Sequence, residues 1–132
     1  MVIFNPFFRA GRGNAIVDNG GAGGIICALD ASNGTVLAAS DEKGNKYIEH
    51  PDTGVKLIGF VIPEWDRAVE LVKELAQVVP TNRYTGWDLA LTHSGWILVE
   101  ANARGQWLAQ IPLQRGFRKE IETYLKELNI TY

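Results

Sequence analysis

Apolar residues recur along this chain with two periods, and the change between them separates strands from helices. Residues 2–9 and 14–17 read as short strands around the turn Ala10-Gly11-Arg12-Gly13. The run 24–30 reads as a strand, Ser32-Asn33-Gly34 as a hairpin turn and 35–40 as the returning strand. Residues 41–54 are polar and read as a surface loop, followed by a short strand from Val55 to Phe60. From Glu64 to Val79 the period lengthens. Trp65, Val69, Val72, Ala76 and Val79 fall on one side of a helix, and Leu71, Leu75 and Val78 widen the stripe into a packing face. Pro63 and Pro80 bound this helix, and Glu64 and Asp66 suit its positive N-terminal end. Two more β-type runs, 84–92 and 96–101, flank His93-Ser94-Gly95. Gly116 to Leu128 gives a last amphipathic helix with Phe117, Ile121, Tyr124 or Leu125, and Leu128 facing inward. The order predicts one α+β domain over residues 1–132, a mostly antiparallel sheet with helices packed on one face.

The second hairpin carries the candidate chemistry. If His93-Ser94-Gly95 is a three-residue loop, Thr92 faces Trp96 and Asp88 lies directly opposite Glu100. Asn102, two residues on, projects from the same face, whose other expected neighbours are Ala90, Trp96 and Leu98. Cross-strand Cβ atoms stand about 4.5–5.5 Å apart, and like charges placed there repel. An all-oxygen cluster of this kind calls for a compensating cation, and oxygen ligands suit Mg²⁺. A two-residue Ser94-Gly95 turn would slip the register by one and put the acids on opposite faces.

Composition narrows the function without naming it. The 132 residues are 46% hydrophobic and 21% charged, with a net charge of −2. That balance gives no electrostatic footprint for a nucleic-acid backbone or an anionic membrane. Cys27 is the single cysteine, so no internal disulfide and no cysteine-based zinc site can form. It lies in the apolar run Gly-Ile-Ile-Cys-Ala-Leu and reads as a buried structural thiol. No apolar stretch approaches the ~20 residues of a membrane span, and the first residues lack the basic and apolar regions of a secretory signal. The expected address is cytoplasmic.

The spacing of Asp88, Glu100 and Asn102 resembles the metal site of ATP-grasp enzymes. Val17-Asp-Asn-Gly-Gly-Ala-Gly-Gly24, Leu29-Asp30 with Gly34, His50-Pro-Asp-Thr-Gly54, Ile62-Pro63, Gly86-Trp-Asp88 and Val99-Glu-Ala-Asn102 together resemble the sugar-transfer associated ATP-grasp group. The resemblance implies that Asp88, Glu100 and Asn102 hold one or two Mg²⁺ bridging the phosphates of ATP. It implies that Asn19, Gly23, Gly24 and His50 line the cofactor site, Asn19 beside the phosphates or the substrate carboxylate. Arg12 is the basic residue best placed, on this reading, to neutralise the transferring phosphoryl group. The implied reaction activates a carboxylate as an acyl phosphate, which an amine or other nucleophile then attacks.

Two departures from that pattern stand out. Many ATP-grasp ligases carry an arginine two residues before the first metal-binding acid, where this chain has Gly86. Arg12, Arg83 or Arg104 would have to supply that charge. The chain also resembles only the C-terminal lobe, so the lobe that encloses the adenine is expected to be missing from these residues. A second copy of the chain, another chain, or the rest of a longer enzyme of which this is a piece would then complete the site.

Other candidates are less specific. Asp18–Gly24 could form a phosphate-cradling nest or a flexible turn. His93 reads as a turn residue, whereas His50, with Asp52 and Thr53, lines a pocket or caps a turn. Trp87 and Trp96 read as core, and Trp107 as a side chain free to stack on substrate. Two function classes remain: a Mg-ATP-dependent ligase-like domain needing a partner lobe, and a non-catalytic ligand-binding or assembly module.

Overall fold

The structure, a computed structural model, describes residues 1–13, 23–103 and 105–130. Its elements run β1 (Phe7–Ala10), β2 (Ile25–Leu29), β3 (Val36–Ser40), α1 (Trp65–Val78), β4 (Gly86–Thr92), β5 (Gly95–Asn102), α2 (Gln110–Leu113) and α3 (Arg118–Glu127). The fold is α+β, as the pattern predicted, and the strands among the described residues pair antiparallel. The pairing divides into two sheets, one of order β1-β2-β3 and a separate ribbon β4-β5.

The short run Ile-Ile-Cys-Ala-Leu becomes the central strand because every one of its residues is apolar, and β2 is buried throughout. Ile25, Cys27 and Leu29 pack on one face with Val36, Leu57, Ile62, Trp65 and Trp96. Ala28 packs on the other face with Ala109, Phe117 and Ile121, so α2 and α3 lie against that side. Burying Ile25 and Ile26, 0% and 1% exposed, contributes roughly 1.5–3 kcal/mol each. Phe4 closes the helical side with edge-on contacts to Phe117 at 5.5 Å and Tyr124 at 5.7 Å.

The Ser32-Asn33-Gly34 turn forms as predicted, closed by the Gly34 N–H on the Asp30 carbonyl at 2.8 Å. Gly34 has φ +73°, and a Cβ there would stand 2.7 Å from the Trp65 ring. The same turn anchors the start of α1, since Trp65 Nε1 donates to the Ala31 carbonyl at 3.0 Å.

Several expected elements come out differently. Of 2–9 only Phe7–Ala10 is strand, and the expected strand 14–17 lies outside the described residues. Val55–Phe60 is no continuous strand. Gly59 takes φ of +83° and breaks the run, leaving isolated bridges Glu49–Lys56 and Thr35–Val61. In α1 only Ala68 is buried, and Val78 and Val79 are 75% and 52% exposed. The predicted packing face is therefore covered near the start of the helix and bare at its end. Leu128 is exposed because α3 ends before it. The four-residue α2 was not predicted, being a single turn containing Pro112. Among the described residues no helix is long and apolar enough to cross a membrane.

Candidate functional site

The ribbon β4–β5 turns through His93-Ser94 alone, with Thr92 paired to Gly95. Thr92 Oγ1 donates to the Gly95 carbonyl at 2.8 Å and accepts the Ser94 N–H at 3.1 Å, and Gly95 takes φ +106°. This turn leaves the register one residue off the expected one, with Leu91 opposite Trp96 and Leu89 opposite Leu98. An irregularity between Asp88 and Leu89 then restores it, placing Asp88 opposite Glu100 and Gly86 opposite Asn102. The three predicted metal ligands thus share one side of the ribbon, although by a different turn. Trp96 and Leu98 belong to the opposite side, contrary to expectation, because they pair with Leu91 and Leu89. There Trp96 joins the core and donates its Nε1–H to the Glu64 carbonyl at 3.0 Å.

Asp88 and Asn102 are half-buried and Glu100 is exposed. None of the ion pairs among the described residues involves either acid. Among those residues, too, no three His, Cys, Asp or Glu side chains are grouped to hold a metal. This side of the ribbon carries two carboxylates and the Asn102 amide. Hard oxygen donors of this kind suit Mg²⁺ better than zinc or copper.

The base of the ribbon leaves no room for a side chain at position 86. A Cβ on Gly86 would stand 2.7 Å from Gly105 Cα and 3.7 Å from Asn102 Cβ. The backbone at Gly105 occupies the space an arginine stem would need. The crossing is held by Tyr84, whose hydroxyl donates to the Gly105 carbonyl at 3.3 Å and accepts the Trp107 indole N–H. Trp107 packs against the α3 core as well, so it is not a free stacking surface. A cavity of about 410 Å³ beside this base is lined by Thr81, Asn82, Arg83, Tyr84, Ala103 and Ile130. Arg83 donates from Nη1 to the Leu128 carbonyl at 3.0 Å. A second cavity, about 340 Å³, lies between the N-terminal segment and α3, and neither is lined by Asp88, Glu100 or Arg12.

A second polar group forms where the 50–54 loop meets residues 11–13. Arg12 Nη2 donates to Asp52 Oδ1 at 3.2 Å, and the Gly13 N–H donates to Asp52 Oδ2 at 2.8 Å. His50 is buried and held at both ring nitrogens. Its Nε2–H donates to the Gly11 carbonyl at 2.8 Å, and its Nδ1 accepts the Asp52 N–H at 3.3 Å. The Arg12 guanidinium and the Gly13 N–H hold the Asp52 carboxyl below the usual carboxylate range, and Asp52 in turn raises Arg12. Sequence reasoning selected Arg12 and set Asp52 beside His50 in a pocket or turn, but did not join Asp52 to Arg12, 40 positions away.

Gly23, at φ +79°, is exposed, and Gly24 is buried at the start of β2. Asn19 and Arg104 lie outside the described residues. Cys27 is buried, and desolvation pushes its thiol up to about 11, consistent with a structural role. Among the described residues no hydrogen bond joins the Arg12 group to the acidic ribbon.

A family model described as sugar-transfer associated ATP-grasp matches residues 1–126. No curated protein and no solved structure matches the chain.

Proposed function

Since this chain belongs to the sugar-transfer associated ATP-grasp family, we propose that it supplies one lobe of a Mg-ATP-dependent site that activates a carboxylate. The observation that carries the reading is the pairing of Asp88 with Glu100 and of Gly86 with Asn102. That pairing converges two carboxylates and an amide oxygen on one side of a ribbon. Such an arrangement is electrostatically unfavourable unless a cation joins it. Asp88, Glu100 and Asn102 would hold one or two Mg²⁺, which neutralise the phosphate oxygens of ATP when bound.

In the proposed reaction a carboxylate oxygen attacks the γ-phosphorus, the bond to ADP breaks, and an acyl phosphate forms. A nucleophile then attacks the acyl carbon and inorganic phosphate leaves. Arg12 stabilises the charge spread over the transferring group. Asn19, Gly23 and Gly24 are assigned to the cofactor side of the site. His50 serves the same site by holding Gly11 and Asp52, because both its nitrogens are already engaged.

The bare apolar surface favours a second, compatible reading, in which the chain acts as a ligand-binding or assembly module. Val78, Val79, Ile97 and Val99 are 75%, 52%, 46% and 64% exposed, on the end of α1 and on β5. Surface of this kind is covered in many proteins by a second lobe or chain. A lobe that encloses the adenine, from another chain or from more of the same polypeptide, would unite the two readings. Phosphate release from Mg-ATP, assayed with a panel of carboxylates, separates them. The 132 residues alone are expected to turn over little ATP. Substantial turnover lost in Glu100→Gln would show a self-sufficient enzyme, and turnover that Glu100→Gln leaves intact would refute the metal assignment.

A further inference from the structure

Asn102 is the last residue of β5, and its pairing with Gly86 is the last rung of the ribbon. Beyond that rung the ladder no longer fixes the backbone. Gly105 instead lies against Gly86, and a Cβ on Gly105 would stand 3.1 Å from Gly86 Cα and 3.3 Å from the Tyr84 hydroxyl oxygen. That hydroxyl is used twice, donating to the Gly105 carbonyl at 3.3 Å and accepting the Trp107 indole N–H. Trp107 packs on the cluster of Ala28, Ala109, Phe117 and Ile121, so one end of this relay is seated in the core. Tyr84 and Ala103, the residue after Asn102, both line the cavity of about 410 Å³. On that side Ala103 borders open space rather than packed side chains.

We propose that Tyr84 is a positioning residue of the ribbon's metal site, its hydroxyl tethering Gly105 so that the adjoining backbone keeps the Asn102 amide beside Asp88 and Glu100. The inference rests on the metal assignment above and extends it to a residue that itself touches no metal. Asn102 and Gly105 both meet Gly86, one across the ladder and the other across the crossing. A shift of Gly105 is therefore felt at the pair that orients Asn102. Binding sites need their ligands held within about 0.5 Å of the productive geometry. Partners that orient a metal ligand typically govern about 10–100-fold in affinity. Tyr84 acts through backbone, so its share falls at or below the lower end of that range. Its stability effect is separable from its positioning effect. A phenylalanine ring keeps the packing, and water from the cavity can meet the Gly105 carbonyl, but water is not anchored to Trp107 and the ribbon.

The probe is Mn²⁺ alone, titrated into the full chain by calorimetry. Tyr84→Phe is expected to weaken Mn²⁺ binding about 3- to 10-fold. In an Asn102→Ala background the same change is expected to have no further effect, because its action passes through Asn102. A merely structural tyrosine would lower the melting temperature and leave the affinity where it was. Trp107→Phe, which releases the hydroxyl from the core, should weaken binding in the same direction and with the same dependence on Asn102. It provides the test if Tyr84→Phe is poorly folded. Unchanged or tighter Mn²⁺ binding in a folded Tyr84→Phe overturns the inference, as does an equal loss in both backgrounds. Failure of Asn102→Ala to weaken binding would instead remove the assignment of Asn102 beneath it.

Discussion

Replacing Gly86 by alanine tests whether the crossing at the base of the ribbon holds Asn102 in place. The new Cβ would stand 2.7 Å from Gly105 Cα and 3.4 Å from Gly105 N. Carbon pairs are most favourable at about 3.5–4.0 Å, so one backbone must retreat by close to 1 Å. The φ of Gly86 lies outside the left-handed region, so the penalty is steric rather than conformational. Neither neighbour is a flexible side-chain tip, and Tyr84 bonds the Gly105 carbonyl. Overpacking of this kind costs about 1–3 kcal/mol. For a chain of 132 residues, with about 2.1 cal/mol/K of unfolding entropy per residue, the melting temperature should fall by roughly 4–10 °C. Asn102 pairs with Gly86 and should be displaced with it, weakening Mn²⁺ binding at the ribbon. Calorimetry with a parallel Mn²⁺ titration checks both effects. A melting temperature within 1 °C of the parent would refute the claim that Gly105 excludes a side chain here.

Two further outcomes follow from other sites. Gly34→Ala meets both a φ of +73° and the Trp65 ring at 2.7 Å, so it should cost about 2–4 kcal/mol by urea denaturation. The Asp52 carboxyl is depressed by Arg12 and by the Gly13 N–H, so its stabilising effect is complete above the unfolded-state pKa of ~3.9. That effect should be lost as pH falls through the lower folded-state value. A ¹³C titration of the Asp52 carboxyl should show a midpoint below the ordinary one, returning toward it in Arg12→Gln.

Much of this architecture is legible in the order of residues, for reasons that are local. The apolar run at Ile25–Leu29, the Asn33-Gly34 turn and the 3.6-residue stripe from Trp65 each depend on neighbours within a few positions. What escapes depends on distant backbone. Val55–Phe60 is as apolar as a strand, but Gly59 adopts positive φ and breaks it. The apolar stripe of α1 continues to Val79, yet nothing in its period says that Val78 and Val79 are left exposed at its end. The facing of Asp88 and Glu100 was foreseen from a three-residue loop that does not form. A two-residue turn and a compensating irregularity produce the same pair, and alternation alone cannot distinguish the two routes. The Gly86–Gly105 contact and the Arg12–Asp52 pair each join segments far apart in the chain, so no local pattern announces them.

Mn²⁺, which shares the octahedral oxygen preference of Mg²⁺, offers the most direct test when added to the isotopically labelled chain. Paramagnetic broadening is expected to centre on Asp88, Glu100 and Asn102 and to disappear in Glu100→Gln while the rest of the spectrum is unchanged. Broadening centred elsewhere, or persisting in Glu100→Gln, would contradict the assignment of this ribbon as the metal site.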